Sequence, residues 1–145
     1  MHVACYKCGT TNRVPASRIV DDPVCGRCGA PLLPAEPVEL DDRTLPGYLA
    51  RTQMPVLVDF WAPWCGPCRA MAPNFAAAAA TLPGVRFVKV NSDASPNESA
   101  RLRIRSIPTL VLFDGGIERA RISGAMSSGD LASWIDAQIP KEAAA

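Results

Sequence analysis

Six cysteines carry the chemistry open to this sequence, and all fall into Cys-x-x-Cys pairs: Cys5/Cys8, Cys25/Cys28 and Cys65/Cys68. A thiolate both attacks disulfides and ligates metals, and the same spacing serves either purpose. The start of the chain lacks the basic and apolar regions of a secretory leader, and no apolar run reaches the roughly 18 residues of a membrane span, so a cytoplasmic location without membrane association is expected. A reducing cytosol opposes structural disulfides, which leaves metal ligation or redox catalysis for the six sulfurs.

Cys5-x2-Cys8 and Cys25-x2-Cys28 are sixteen residues apart, a spacing that fits a tetrahedral four-thiolate zinc site, as in a zinc ribbon or knuckle. Gly9 and Gly29 follow the second cysteine of each pair and Gly26 lies inside the second, allowing tight turns whose N–H groups point at sulfur. Two labile disulfides or an iron-sulfur centre are the competing assignments; zinc leads because closed sites at this spacing are typically structural. His2 is nearby, but four thiolates fill the shell and leave it a bystander. The module then serves either as a folding staple or as a redox sensor that loses zinc on oxidation.

In Trp64-Cys65-Gly66-Pro67-Cys68 the first sulfur stands where a strand hands over to a helix, so backbone N–H groups and the positive end of the helix dipole stabilise its thiolate. Cys68, one turn further in, is expected to be more buried and less acidic, suited to resolving a mixed disulfide. Spacing alone would equally allow half a metal site; the Gly-Pro insert and the aromatic cover of Trp61 and Trp64 favour the redox pair. Asp59 interrupts an otherwise apolar run, where desolvation raises its pKa. It reads either as a general base acting through water on the Cys68 proton or as one half of a buried ion pair.

These groups need elements to position them. Residues 1–35, rich in Cys, Gly, Pro and Arg, lack the periodicity to build a core and need a metal staple; Pro31, Pro34 and Pro37 punctuate a linker, so the boundary falls near Ala35, with a second domain over 36–145. Val38–Leu40 reads as a strand, and Asp41–Thr44 caps a helix running to about Thr52 with Pro46 in its first turn. The run Val56–Trp61 has the pattern of a central strand covered on both faces. A helix from Cys65 to Leu82, kinked at Pro73, precedes a strand over Val85–Val90 carrying Lys89 and a short helix from about Asn97 to Ile104. Thr109–Phe113 and Ile117–Ile122 form a hairpin across Asp114-Gly115-Gly116. A last helix turns Leu131, Trp134, Ile135 and Ile139 inward before a loose tail over 141–145. The order β-α-β-α-β-α-β-β-α implies an α/β fold with a mixed central sheet flanked by helices.

Val58-Asp59-Phe60-Trp61-Ala62-Pro63-Trp64-Cys65-Gly66-Pro67-Cys68-Arg69 resembles the active-site signature of the thioredoxin family. The likeness runs from about residue 36 to 139 and takes in Pro73, Lys89, Ser106-Ile107-Pro108-Thr109 and Gly124-Ala125. With the four-cysteine module in front, the whole chain resembles the zinc-containing thioredoxin-2 group of bacteria. The resemblance implies a thioredoxin-like fold and protein-disulfide reduction, with Cys65 attacking and Cys68 resolving. It also implies a redox-active Cys65–Cys68 disulfide recycled by an NADPH-dependent thioredoxin reductase, while the chain carries no nucleotide-binding motif of its own. Pro108 is then a cis proline facing the pair, with Ile107 offering backbone groups to an extended substrate. Trp64, Gly66, Pro67, Gly124 and Ala125 complete a flat apolar docking surface, and Lys89 is the family partner of Asp59. Ser123 departs from the family, which more often has an apolar residue before that glycine.

Hydrophobic residues make up 48% and charged residues 20% of the chain, which excludes a disordered polyampholyte. A net charge of +1 supplies no field to gather nucleic acid or anionic lipid, and Arg101, Arg103 and Arg105 read as a solvated face without stacking aromatics. A disulfide oxidase or isomerase would prefer His at Pro67; the rival from another class is a zinc-dependent protein-binding or chaperone-like module using the redox fold as scaffold.

Overall fold

The computed structural model of the chain describes residues 1–139; the tail expected over 141–145 lies outside them. Two sheets organise the molecule. A two-stranded antiparallel ribbon pairs β1 (His2–Ala4) with β2 (Thr11–Arg13), followed by a 3-10 helix at Ala16–Arg18. A five-stranded sheet holds β3 (Val38–Leu40), β4 (Val56–Trp61), β5 (Arg86–Asn91), β6 (Thr109–Asp114) and β7 (Ile117–Ser123) in the order β3-β5-β4-β6-β7. The first three are mutually parallel, β6 runs antiparallel to β4, and β7 runs antiparallel to β6. Helices α1 (Leu45–Arg51), α2 (Gly66–Thr81), α3 (Pro96–Arg101) and α4 (Ser128–Gln138) connect or close them. The expected mixed sheet flanked by helices is present in the expected order.

β4 sits in the middle of the sheet with apolar side chains on both faces, as a strand covered by helices on either side requires. Val56, Val58 and Phe60 pack with Leu45, Tyr48 and Leu49 of α1 and with Val88, Val90 and Val111. Leu57, on the opposite face, joins Met71, Phe75, Ala78 and Ala79 of α2 and Leu131 and Ile135 of α4. At roughly 25 cal/mol per Å² of apolar area withdrawn from water, these two layers are the main force holding the sheet between its helices. Pro73 lies within α2 without ending it, and the β6–β7 turn places Gly115 and Gly116 at φ 61° and 80°, as a two-residue hairpin turn demands. A Cβ at Gly116 would come within 3.0 Å of the Leu49 carbonyl oxygen.

Two expectations shift. α3 ends at Arg101 instead of Ile104, because Arg103 turns left-handed at φ 56° and the N–H groups of Arg103 and Ile104 close on the Ala100 and Ser99 carbonyls. This is a Schellman stop built without glycine. Residues 1–35 also do more than await a staple: Val3, Val14, Cys25, Ala30 and Leu32 form a small core, completed by Met54 from beyond α1. The His2 N–H donates to Gln53 Oε1 (2.6 Å), the Gln53 N–H to the His2 carbonyl (2.8 Å), and the Ala4 N–H to Thr52 Oγ1 (3.2 Å). The ribbon therefore borrows both apolar cover and hydrogen bonds from the segment between α1 and β4.

Candidate functional site

The carboxyl end of β4 leads through Ala62–Trp64 into α2, and the redox pair stands at that junction. Cys65 is the N-cap, in an extended conformation, and its Sγ accepts the Cys68 backbone N–H at 3.2 Å. A sulfur therefore performs the capping done elsewhere by serine or aspartate oxygens, and a thiolate formed there on reduction would stand where unpaired N–H groups and the helix dipole favour negative charge. Cys65 and Cys68 are joined as a disulfide, with their Cα atoms 5.3 Å apart. The expectation that Cys68 is the more buried partner does not separate the two here: the residues are 4% and 3% exposed. What distinguishes them is position, one capping the helix and the other donating to it.

The Ile107–Pro108 peptide is cis, and the Ile107 carbonyl oxygen lies 3.9 Å from Cys65 Sγ. The Gly124 N–H donates to the Pro108 carbonyl at 2.9 Å, which brings Gly124 and Ala125 to the same rim. Trp64 is 67% exposed, and Gly66, Pro67, Gly124 and Ala125 are exposed with it, so the residues expected to dock substrate form an open surface around a covered disulfide. Ser123 joins a hydroxyl ladder below that rim: its Oγ lies 2.8 Å from Thr109 Oγ1 and accepts from Ser106 Oγ at 3.3 Å. Asp93, unremarked in the sequence, accepts the Trp64 indole N–H at 2.7 Å. Only a pairing 29 residues apart reveals it.

Asp59 is 1% exposed, and neither carboxylate oxygen has a hydrogen-bond partner among the described residues. Burial pushes its pKa up to about 7; Lys89 opposes the rise and Glu39 adds to it. Asp59 and Lys89 are register partners on β4 and β5, yet no ion pair joins them among the described residues. The Lys89 ammonium instead lies over the Trp61 ring, 4.5 Å from its centroid. The Trp61 indole N–H donates to Glu39 Oε1 at 3.2 Å, and Glu39 is the second charged group that sequence reading passed over.

The sulfurs of Cys5, Cys8, Cys25 and Cys28 all lie within 4.8 Å of one another, with the Cys5–Cys28 and Cys8–Cys25 pairs at 3.6 Å. A tetrahedral ion with metal–sulfur bonds near 2.3 Å sets its sulfurs about 3.8 Å apart, so the cluster fits one four-thiolate centre. Gly9 and Gly29 take φ 81° and 79° and return their N–H groups to the Cys5 and Cys25 carbonyls, while the N–H groups of Cys8 and Arg27 face Cys5 Sγ and Cys25 Sγ. The Gly26 N–H, expected at sulfur, donates instead to Asn12 Oδ1 at 2.9 Å, and Asn12 Nδ2 reaches Cys25 Sγ at 3.5 Å. The Cys28 backbone N–H, Asn12 and Arg27 lower the Cys25 thiol to about 6, readying it as a thiolate ligand. The metal-ligating atoms His2 could offer are not part of the cluster.

No helix among the described residues is long and apolar enough to cross a membrane. The thioredoxin family model matches residues 36–137, and a model described as "Thioredoxin 2, N-terminal" matches residues 4–30. Thioredoxin C-3 of Corynebacterium nephridii is 44% identical over 142 residues, covering 98% of each chain. An M-type chloroplastic thioredoxin of Zea mays is 42% identical over 105 residues, 72% of this chain and 63% of the relative. A thioredoxin of Synechocystis is 41% identical over 99 residues, 68% of this chain and 92% of the relative. A helix-capping disulfide beside a cis proline, a four-cysteine ribbon in front of it and these two family matches lead to one conclusion: the chain belongs to the thioredoxin family, a thiol-disulfide oxidoreductase that reduces disulfides and carries a zinc-ribbon-like amino-terminal module.

Proposed function

We propose that the protein is a cytoplasmic protein-disulfide reductase in which residues 36–145 do the chemistry and residues 1–35 hold a structural zinc ion. In the reduced protein the Cys65 thiolate attacks one sulfur of a substrate disulfide; a Cys65–substrate bond forms and the other substrate sulfur leaves as a thiolate. Cys68, deprotonated by Asp59 through water, then attacks Cys65 Sγ, releasing the second substrate thiolate and leaving the Cys65–Cys68 disulfide. Two electrons pass to the substrate, and an NADPH-dependent thioredoxin reductase returns them to the pair. Lys89 tunes Asp59 electrostatically. Trp64, Gly66, Pro67, Gly124 and Ala125 receive the substrate, and the backbone of Ile107 beside Pro108 pairs with its extended segment.

The observation that carries this reading is the Cys68 N–H bond to Cys65 Sγ at 3.2 Å on the first turn of α2, because it favours the thiolate at the sulfur nearest the docking surface. Cys5, Cys8, Cys25 and Cys28 would hold zinc, which supplies cross-linking and no redox step. A ribbon core that needs Met54 to close supports the staple role. Insulin-disulfide reduction driven by thioredoxin reductase and NADPH tests the proposal: activity should vanish in Cys65→Ser and Cys68→Ser and persist in Cys8→Ser. Turnover in the Cys65→Ser protein would overturn it.

A further inference from the structure

Three charged residues stand abreast on one face of the sheet. Register pairs Asp59 of β4 with Lys89 of β5, and Lys89 with Glu39 of β3. Registered residues of parallel strands share a face, and neighbouring strands are about 4.8 Å apart, so two carboxylates flank a single ammonium. That face looks toward α2: Leu57, two residues before Asp59, packs on Met71 and Phe75, and Trp61, two residues after it, packs on Cys65 and Cys68. Leu110, opposite Asp59 on β6, brings no charge. Among the described residues, the titratable groups facing Asp59 are therefore Lys89, Glu39 beyond it, and the redox cysteines when reduced.

The charges are not divided as an Asp59–Lys89 ion pair would divide them. Trp61 donates its indole N–H to Glu39 Oε1 at 3.2 Å, and Lys89 Nζ rests 4.5 Å from the centroid of that same ring. Glu39, exposed on the edge strand β3, thus fixes the aromatic surface on which the ammonium lies, and it attracts the ammonium from the side away from Asp59. Among the described residues neither carboxylate comes within ion-pairing distance of Lys89.

We propose that Glu39 is a positioning residue for disulfide reduction: by anchoring Trp61 and competing for Lys89, it withholds the ammonium from Asp59. The inference rests on the reading of Asp59 as the base that deprotonates Cys68. Both effects of Glu39 disfavour the Asp59 anion, since its own negative charge stands about two strand spacings away and the cation it retains is, among the described residues, the one facing that carboxyl. The direction agrees with the elevation of Asp59 to about 7, to which Glu39 contributes after burial.

The oxidised protein allows a test free of cysteine titration. The carboxyl carbon of Asp59, followed by NMR against pH, should titrate near 7 in the unmodified protein. In Glu39→Gln the midpoint should fall by about half a unit to one unit, and Glu39→Asp, which keeps the charge, should restore most of the difference. Resolution of the mixed disulfide by Cys68, followed in single turnover for each protein, should show the same displacement of its acid limb, and Asp59→Asn should lose that limb. If the Asp59 midpoint is the same in Glu39→Gln as in the unmodified protein, the proposal fails while the base reading survives. If Asp59→Asn keeps the limb, the base reading fails, and this proposal with it.

Discussion

The chain repeats one motif three times and obtains two chemistries from it. In the amino-terminal pairs the residue after the second cysteine is glycine at positive φ, so the chain folds back and the sulfurs of two such turns meet. In the third pair that residue is Arg69, whose N–H donates to the Cys65 carbonyl as α2 begins, and the chain runs on for sixteen helical residues. The first arrangement gathers four sulfurs; the second isolates two at a helix N-terminus beside a buried carboxyl. Spacing sets which sulfurs can reach each other, and the backbone conformation just beyond decides what they do.

The comparison breaks most visibly if the regions exchange roles. Cys65→Ser and Cys68→Ser should each lower reductase turnover by about three orders of magnitude or more, while Cys8→Ser stays within a few-fold of the unmodified protein. Equal losses in the steady-state assay would erase the distinction. Removing the metal should act in the opposite place: chelation, or Cys25→Ser, should destabilise β1 and β2 by more than ~3 kcal/mol and leave the five-stranded sheet intact. Hydrogen exchange of the Val3 and Asn12 amides against those of β4 separates the two.

Asp59 sharpens the contrast, because its burial serves the redox region at the expense of stability. Its pKa is raised from 3.8 to about 7, so the folded protein binds the proton more tightly than the unfolded chain and stability falls as pH rises through that interval. Asp59→Asn should therefore stabilise the protein at pH 8 by ~4 kcal/mol, a gain that shrinks as pH drops below 7 and disappears near 4. Denaturant unfolding at several pH values measures it; a gain independent of pH would mean that folding leaves the pKa of Asp59 unchanged. The smallest effect concerns the rim. Ser123→Val removes the hydroxyl bonded to Thr109 and Ser106, and should cost about 1 kcal/mol and change KM for a protein disulfide more than kcat.

Much of this architecture is legible in the chain because local chemistry and fold agree. The apolar run Val56–Trp61, broken only by Asp59, could be only a central strand, and Asp114-Gly115-Gly116 could hardly be anything but a hairpin turn. The cysteine spacings located both sites. What escaped depends on tertiary register. Nothing near Glu39 in sequence announces Lys89 or Trp61, which arrive through β3–β5 pairing, and Asp93 meets Trp64 only after β5 returns the chain to the same edge. Arg103 ends α3 in a conformation usually advertised by glycine, and Met54 enters the ribbon core from outside it.

Alkylation of the reduced, metal-loaded protein, resolved by mass spectrometry at all six cysteines and followed across pH, tests the central claim most directly. Cys65 should react with a midpoint well below the free-thiol value of about 8.5, while Cys5, Cys8, Cys25 and Cys28 stay protected. A Cys65 profile that follows free glutathione, or four ribbon cysteines that alkylate as readily as the redox pair, would contradict the division of labour described here.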